Sequence, residues 1–393
     1  MLFQPLDEKK FVGLYINGEV HAQIPEGITG TWRFCHYLDG LDVTYASLYC
    51  GGRSLAEVCP PEFLSRWQHV SGKMSAHIQA CRASKIDLSS YTFLELVPKR
   101  LLSEFLDIKN KITEHVLKEY PKPANYDFLY SLERLVGEIR KNRLNINLCV
   151  LKPHLTTVRA RSAYKRIQAA TPMVDYDPHK TKTGRLTSKK GSFPILTLDK
   201  QFRIAVEPNN DLFLELDFNA AELRTLLALS GKEQPQEDIH EWNAKHVYGA
   251  KTSREEAKKR IFAWLYNPTS KDKESAIAYD RDQVLSQHYD GQAVNTCFGR
   301  RIEADRHHAL NYIIQSTTSD LLLKRAIKID KMLEAKKSNI AFTLHDSLVI
   351  DLSLEDKGMM RDLIKTFGAT DLGEYIVNVT AGKNFGQMRA VNL

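Results

Sequence analysis

The 393-residue chain has no run of about 18 apolar residues, so nothing in it reads as a membrane-spanning helix. Its start, Met1-Leu-Phe-Gln-Pro-Leu-Asp7, lacks the basic and apolar regions of a secretory signal, and cytoplasmic residence is the default expectation. The six cysteines, Cys35, Cys50, Cys59, Cys81, Cys149 and Cys297, include no Cys-x-x-Cys pair, which argues against a zinc site and a disulfide framework. There is no internal repeat and no low-complexity segment. With 43% hydrophobic residues the chain can bury a sizeable core, and one main body with an N-terminal appendage is expected.

What is present centres on Arg254, Lys258, Phe262 and Tyr266, which recur at every fourth position. On an α-helix each such step advances about 400°, so the row stays on one face as a stripe of two cations and two aromatic rings. Thr252 and Ser253 precede it, with Glu255 and Glu256 three residues after each, so a capping box can start the helix; Pro268 opposes its continuation past Asn267. Fixed cations beside flat aromatic faces suit a nucleoside triphosphate, with phosphates at one end and a stackable base at the other. A surface helix with solvated charges and a two-residue apolar seam is the alternative that the stripe alone leaves open.

Two segments frame the stripe. Leu212-Phe-Leu-Glu-Leu-Asp217 reads as a strand ending on a carboxylate and running into the helical pattern Phe218-Asn-Ala-Ala-Glu222-Leu-Arg224. Ala341-Phe-Thr-Leu-His345-Asp346-Ser-Leu-Val-Ile-Asp351 reads as two strands meeting at a His-Asp turn. Each places one Asp at a strand end, and two such carboxylates can hold two hard cations about 3.5–4 Å apart for phosphoryl chemistry.

At this point the sequence resembles the polymerase domain of family A DNA polymerases, the DNA polymerase I type, over roughly residues 95–393. Five landmarks stand in the family's order: Thr183-Gly-Arg-Leu-Thr-Ser188, Asp217-Phe-Asn-Ala-Ala-Glu-Leu-Arg224, Asp238-Ile-His240, the Arg254–Tyr266 stripe, and His345-Asp346. Asn311 to Gln315, followed by Ser319-Asp-Leu-Leu-Leu-Lys-Arg-Ala326, looks like the family's minor-groove helix, and Ala381-Gly-Lys-Asn-Phe385 like its last palm strand. The resemblance implies template-directed addition of deoxynucleotides to a primer 3′ end. Asp217, Asp346 and the backbone carbonyl of Phe218 would bind two Mg²⁺, with Mn²⁺ as a substitute. His240, Arg254 and Lys258 would hold the triphosphate, and Lys258 is the candidate to protonate the leaving pyrophosphate. Phe262 would sit against sugar and base, Tyr266 at the template edge, and Glu222 where a ribose 2′-hydroxyl would project. Lys182, Arg185, Asn311, Gln315 and His345 would contact primer-template, sensing the minor-groove acceptors that all correct pairs share.

The chain also departs from the family. Ser347 stands where a second acid often follows the Asp of the turn, Asn267-Pro268 where a Gly commonly follows the stripe's Tyr, and His307 where an Arg is usual, with Arg306 adjacent. The interval from Tyr266 to Asn311 is short, implying trimmed fingers helices. No Asp-x-Glu of the proofreading kind occurs in the first 150 residues, so no 3′–5′ exonuclease is expected; together with the small size this suggests a phage or other mobile replicon, hence host cytoplasm.

Charge agrees with a nucleic-acid partner. The chain carries +7, and residues 152–190 hold ten Lys or Arg against two Asp, a local +8 that can follow a phosphate backbone. The resulting expectation is an α+β right-hand polymerase fold: an N-terminal α/β appendage at 1–94, thumb and basic segment at 95–190, palm at 191–230 and 296–393, and fingers at 231–295. In the appendage, Phe11 to Ile16 followed by Asn17-Gly18 signals a hairpin, and Glu62 to Ala83 a helix. Helices are expected at Arg100 to Glu119 and Asn125 to Arg143, the reduced thumb. Primer-template DNA and deoxynucleoside triphosphates are the implied partners, with a processivity factor, helicase or primase as accessory classes and no membrane. A single-subunit RNA polymerase and a non-catalytic DNA-binding subunit are the competing readings; Glu222 opposes the first, and the four residues Asp217, Asp346, Arg254 and Lys258 oppose the second.

Overall fold

The Asn17-Gly18 pair does form a two-residue hairpin turn. Both residues take positive φ, 48° and 96°, the geometry that matches the right-handed twist of paired strands. The structure, a computed structural model, describes residues 1–391 apart from Lys9, Asp87, Ser89, Ser90, Ala250 and Pro268. The turn joins β2 (Leu14–Ile16) to β3 (Glu19–His21), and β2 pairs on its other side with β1 (Gln4–Pro5). Helix α1 (Pro61–Ala83) opens on a proline at its first position and turns Trp67, Val70 and Met74 inward at helical spacing. Helix α2 (Lys99–Glu119) buries Leu102, Leu106, Ile108, Ile112 and Val116. Trp67 and Val70 share a core with Ile108, Ile112 and Val116, and Met74 shares one with Leu102 and Leu106. These elements make one compact unit, Met1–Arg134. The boundary drawn from sequence at residue 94 therefore falls inside this unit, because the apolar stripe of α2 is spent on α1.

The second unit, Leu135–Leu393, begins within α3 (Tyr126–Lys141). Helix α4 (Val158–Ala169) faces inward with Ala160, Ala163 and Ile167 and carries Arg159, Arg161, Lys165 and Arg166 on exposed positions. Strand β4 (Leu212–Phe218) leads into α5 (Ala221–Leu229), then α6 (Ile239–Trp242), α7 (Arg254–Tyr266), α8 (Lys273–Tyr279), α9 (Arg281–His288) and the long α10 (Arg306–Leu333). Hairpin β5 (Asn339–Leu344) and β6 (Ser347–Leu352), helix α11 (Met360–Gly368), β7 (Val377–Gly382) and β8 (Arg389–Ala390) complete it.

The sheet order is β5-β6-β4-β7-β8, antiparallel throughout, with β4 central. Because side chains alternate, Phe213, Glu215 and Asp217 share one face of β4 and Leu214, Leu216 and Phe218 the other. Both faces are packed: Phe213 sits edge-on to Phe342 and Phe385, and Phe218 stacks on Phe367 of α11 at 4.3 Å. Packing at both faces anchors the strand that ends at Asp217. The six cysteines form no disulfide. Among the described residues no helix is long and apolar enough to cross a membrane.

Candidate active site

Strand register brings the two aspartates together. Asp217 pairs directly with Ser347 of β6, and Asp346 is the residue just before Ser347, in the turn between β5 and β6. That turn forces His345 to φ 54°, and Ala220, three residues past Asp217, sits at φ 50°. Left-handed backbone at two non-glycine residues is held only where the surroundings over-determine it, and here both instances flank the acidic pair. Burial, then the charges of Glu215 and Asp346, push the Asp217 carboxyl up to about 6 against a hydrogen bond from Asn378. Asp346 is also raised, by burial first and by Glu222 next, with Arg185 and His345 opposing.

Two carboxylates that resist ionisation through burial and neighbouring acids form a donor set that a hard divalent cation would relieve. Among the described residues no group of three or more His, Cys, Asp or Glu is placed to hold a metal ion alone. Asp217 and Asp346, too few donors to enclose an ion, suit one that keeps waters and binds substrate phosphates, as Mg²⁺ does. Ser347, at the position of the expected second acid, donates instead to Glu215 at 2.9 Å, and Thr380 holds the other Glu215 oxygen at 3.1 Å. Glu215 is thus a carboxylate on the same strand face that the sequence reading passed over; its position two residues before Asp217 was the available signal.

The stripe is realised as helix α7. Ser253 accepts from the Glu256 backbone N–H at 3.3 Å while the Glu256 carboxylate accepts from the Ser253 N–H at 2.9 Å, so the second of the two capping pairs is the one used. The helix ends at Tyr266, and Asn267 leaves it with φ −108°; Pro268 lies outside the described residues. Ala257, Ile261, Trp264 and Leu265 are the buried face, and Ile261, Trp264 and Leu265 share a core with Leu310, Ile313 and Ile314 of α10. Arg254, Lys258 and Tyr266 are therefore left exposed and Phe262 half-buried. The Phe262 and Tyr266 rings lie 9° from parallel at 5.9 Å, two rungs of one flat surface.

At the cationic end, His240 of α6 packs its ring 5.7 Å from Phe262. It is 4% exposed. Burial first, then the nearby positive charges of Arg254 and Lys258, depress its pKa to about 4 even though Asp238 and Glu255 act the other way. His240 Nδ1 has no hydrogen-bond partner among the described residues. A neutral imidazole between two cations is a setting that an incoming polyanion would improve.

At the aromatic end, Glu222 of α5 is buried, with one oxygen accepting from Arg185 at 2.6 Å and the other from the Tyr266 hydroxyl. Arg185 is delivered by a tight loop whose Gly184 has φ 74°, where a Cβ would meet the Arg300 guanidinium at 2.5 Å. Arg300 is itself pinned by both oxygens of the fully buried Asp320 on α10, at 2.9 and 2.7 Å. Lys182 of the same loop lies 6.0 Å over the Tyr312 ring, beside Asn311. Asn311 and Gln315 are one turn apart on α10 and both half-buried. Asn311, Arg306, His307 and Tyr266 line one cleft of about 290 Å³. The structure thus brings Glu222, Arg185, His345 and Tyr266 close to Asp346, while Asn311 shares a cleft with Tyr266 and Lys182 lies over Tyr312; Arg300 and Asp320, which seat the Arg185 loop, were not singled out from sequence.

No family model matches the chain. The fold is α+β and is similar to that of a solved polymerase domain. Its structural likeness is to the POL domain of Pol1 from M. smegmatis, a complex with DNA primer-template and dNTP, with a TM-score of 0.53 at 13% identity over 73% of this chain and 75% of that one. In sequence the chain is similar to DNA polymerase I, the family A type. It is 28% identical to the thermostable DNA polymerase I of Thermus aquaticus over 226 residues, 44% of this chain and 27% of that protein. Against DNA polymerase I of Lactococcus lactis it is 27% identical over 239 residues, 47% of this chain and 27% of the relative. Against that of Aquifex aeolicus it is 25% identical over 297 residues, 63% of this chain and 49% of the relative. The chain therefore spans between about a quarter and half of the length of these curated relatives.

Proposed function

We propose that the chain is a DNA-directed DNA polymerase that extends a primer 3′ end with deoxynucleotides by two-metal-ion nucleotidyl transfer. One observation supports this reading most: Asp217 pairs in register with Ser347, the residue after Asp346, and Glu222, with Tyr266 at the end of the α7 stripe, lies close to Asp346. In this reading residues 191–230 and 296–393 are the palm, 231–295 the fingers, and 135–190 the basic duplex-contact segment; residues 95–134, expected from sequence in the thumb, belong to the first unit.

Asp217, Asp346 and the Phe218 carbonyl would hold the divalent ions, Mg²⁺ with Mn²⁺ as a substitute, which supply charge neutralisation at the α-phosphate and a lowered pKa for the attacking hydroxyl. His240, Arg254 and Lys258 bind the triphosphate, and exposed Lys258 can give a proton to the departing pyrophosphate. Phe262 packs on the sugar and base, with Tyr266 at the template edge. Glu222, fixed on both oxygens, fills the volume a 2′-hydroxyl would need. Arg185, Lys182, Asn311, Gln315 and His345 contact the duplex, and the basic face of α4 follows its backbone.

Extension of a labelled primer-template with Mg²⁺ tests the reading, with ribonucleotides and a template-free control in parallel. Template-dependent extension by deoxynucleotides alone supports it. Ribonucleotide extension moves the chain to the RNA polymerase class, and absence of extension removes the catalytic reading. Loss of a mismatched 3′ terminus without nucleotides would contradict the further expectation that these residues do not proofread.

A further inference from the structure

The two groups at the cationic end of the stripe are organised by one carboxylate. Asp238 Oδ1 accepts from the backbone N–H groups of His240 and Glu241 at 3.0 Å each, capping the turn that carries His240, and from Arg254 Nε at 3.1 Å. Its Oδ2 accepts from Arg254 Nη2 at 2.9 Å and from Asn219 Nδ2 at 3.0 Å. Asn219 lies two residues beyond Asp217. Its own N–H donates to Ile376 at 2.9 Å, and its Oδ1 accepts from the Ile239 N–H and from Arg224, each at 3.2 Å. Three segments thus meet on Asp238: the start of α6, the start of α7 and the end of β4.

Among the described residues the remaining nitrogen of Arg254, Nη1, meets only Glu255, at 3.0 Å, and the Glu255 side chain is 69% exposed. A guanidinium held along its Nε–Nη2 edge presents Nη1 in a fixed direction, and an exposed ion pair is worth little, so a polyphosphate can replace Glu255 at small cost.

We propose that Asp238 is the positioning residue of the phosphate-binding end. It orients Arg254 and His240 as one unit, ties them through Asn219 to the strand that carries Asp217, and leaves Glu255 as a place-holder that nucleotide displaces. The inference rests on the nucleotidyl-transfer reading above.

The test is steady-state primer extension by the full chain, with dATP varied opposite template thymine, for wild type, Asp238→Asn, Arg254→Ala, the double variant and Glu255→Gln. Asn caps helix starts about as well as Asp, so Asp238→Asn keeps the turn while removing the charge. Its KM for dATP should rise about tenfold with a smaller change in kcat, the scale of a lost charged hydrogen bond. Because Asp238 acts through Arg254, the double variant should be no worse than Arg254→Ala alone, and Glu255→Gln should lower KM. Multiplying effects in the double variant, or an unchanged KM in Asp238→Asn, would overturn the positioning role; an unchanged or raised KM in Glu255→Gln, which leaves the Asp238 network intact, would overturn the place-holder. A wild type that extends while the two effects multiply loses this inference alone; a wild type that extends no primer loses the underlying reading as well.

Discussion

The Tyr266 hydroxyl donates its hydrogen bond to the Glu222 carboxylate, joining the last residue of the stripe to the acid one helix away. Arg185 holds the other Glu222 oxygen at 2.6 Å. A carboxylate fixed from both sides cannot swing aside for an extra hydroxyl, and a hydroxyl buried against it finds no donor left to pair with.

Glu222→Ala should therefore relax sugar selection. The ratio of kcat/KM for a deoxynucleotide over its ribonucleotide is expected to fall by about a hundredfold, the scale on which a pocket rejects an analogue that adds a hydroxyl. Tyr266→Phe keeps the carboxylate and the Arg185 bond, and about tenfold is expected there. Parallel single-nucleotide insertion assays read both. Unchanged ratios in Glu222→Ala would mean that the acid serves only the helix packing.

Asp217→Asn and Asp346→Asn each remove one charge from the register-paired set. Either should slow extension by more than about a hundredfold, because several kcal/mol of charge stabilisation disappear. Primer-template affinity, measured by anisotropy, should stay close to that of wild type, since the basic face of α4 and the Arg185 loop are untouched. Extension at the normal rate by either variant would refute the metal assignment.

Gly184 has two reasons to be glycine. Its φ of 74° costs other residues about 1–2 kcal/mol, and a Cβ would strike the Arg300 guanidinium, which Asp320 prevents from yielding. Gly184→Ala should lower stability by roughly 1–3 kcal/mol and weaken primer-template binding, because the loop that presents Arg185 must shift. Thermal unfolding together with anisotropy checks this. Arg300→Ala, which empties the contested space, should restore part of the packing in the double variant, whereas a purely local φ cost would not respond.

The features legible in the sequence were those written in local periodicity and turn chemistry. The four-residue spacing of the stripe, the Ser253–Glu256 box and the Asn17-Gly18 hairpin are decided within about a dozen residues, and each formed where expected. Asp217 falls one residue before the end of β4 and Asp346 in the β5–β6 turn, near the strand ends that the alternation of apolar residues indicates. What escaped was long-range pairing. Nothing near Gly184 announces Arg300, and nothing near Arg300 announces Asp320. Likewise Ser347 reads as a missing acid until register places its hydroxyl against Glu215. The extent of the first unit escaped for the same reason: the apolar stripe of α2 says that it packs, but not that it packs on α1.

His240 gives the fold a pH dependence of definite sign. Its pKa is lowered to about 4 by burial and by Arg254 and Lys258, with Asp238 and Glu255 opposing, while an unfolded histidine titrates near 6.5. Between those values the unfolded chain binds the extra proton, so the contribution of His240 to stability is fully present above about pH 6.5 and is lost as pH falls toward 4. The loss is on the order of 1–3 kcal/mol. Asp217, whose carboxyl is raised to about 6, contributes in the opposite direction, so the comparison must isolate the histidine. Denaturant unfolding of wild type and His240→Gln at pH 7.5 and pH 5 does so: wild type should lose more stability than the variant over this interval. Equal losses would mean that the folded imidazole titrates near the unfolded 6.5, so that on mild acidification triphosphate binding would meet a cation at His240 and not the neutral ring described above.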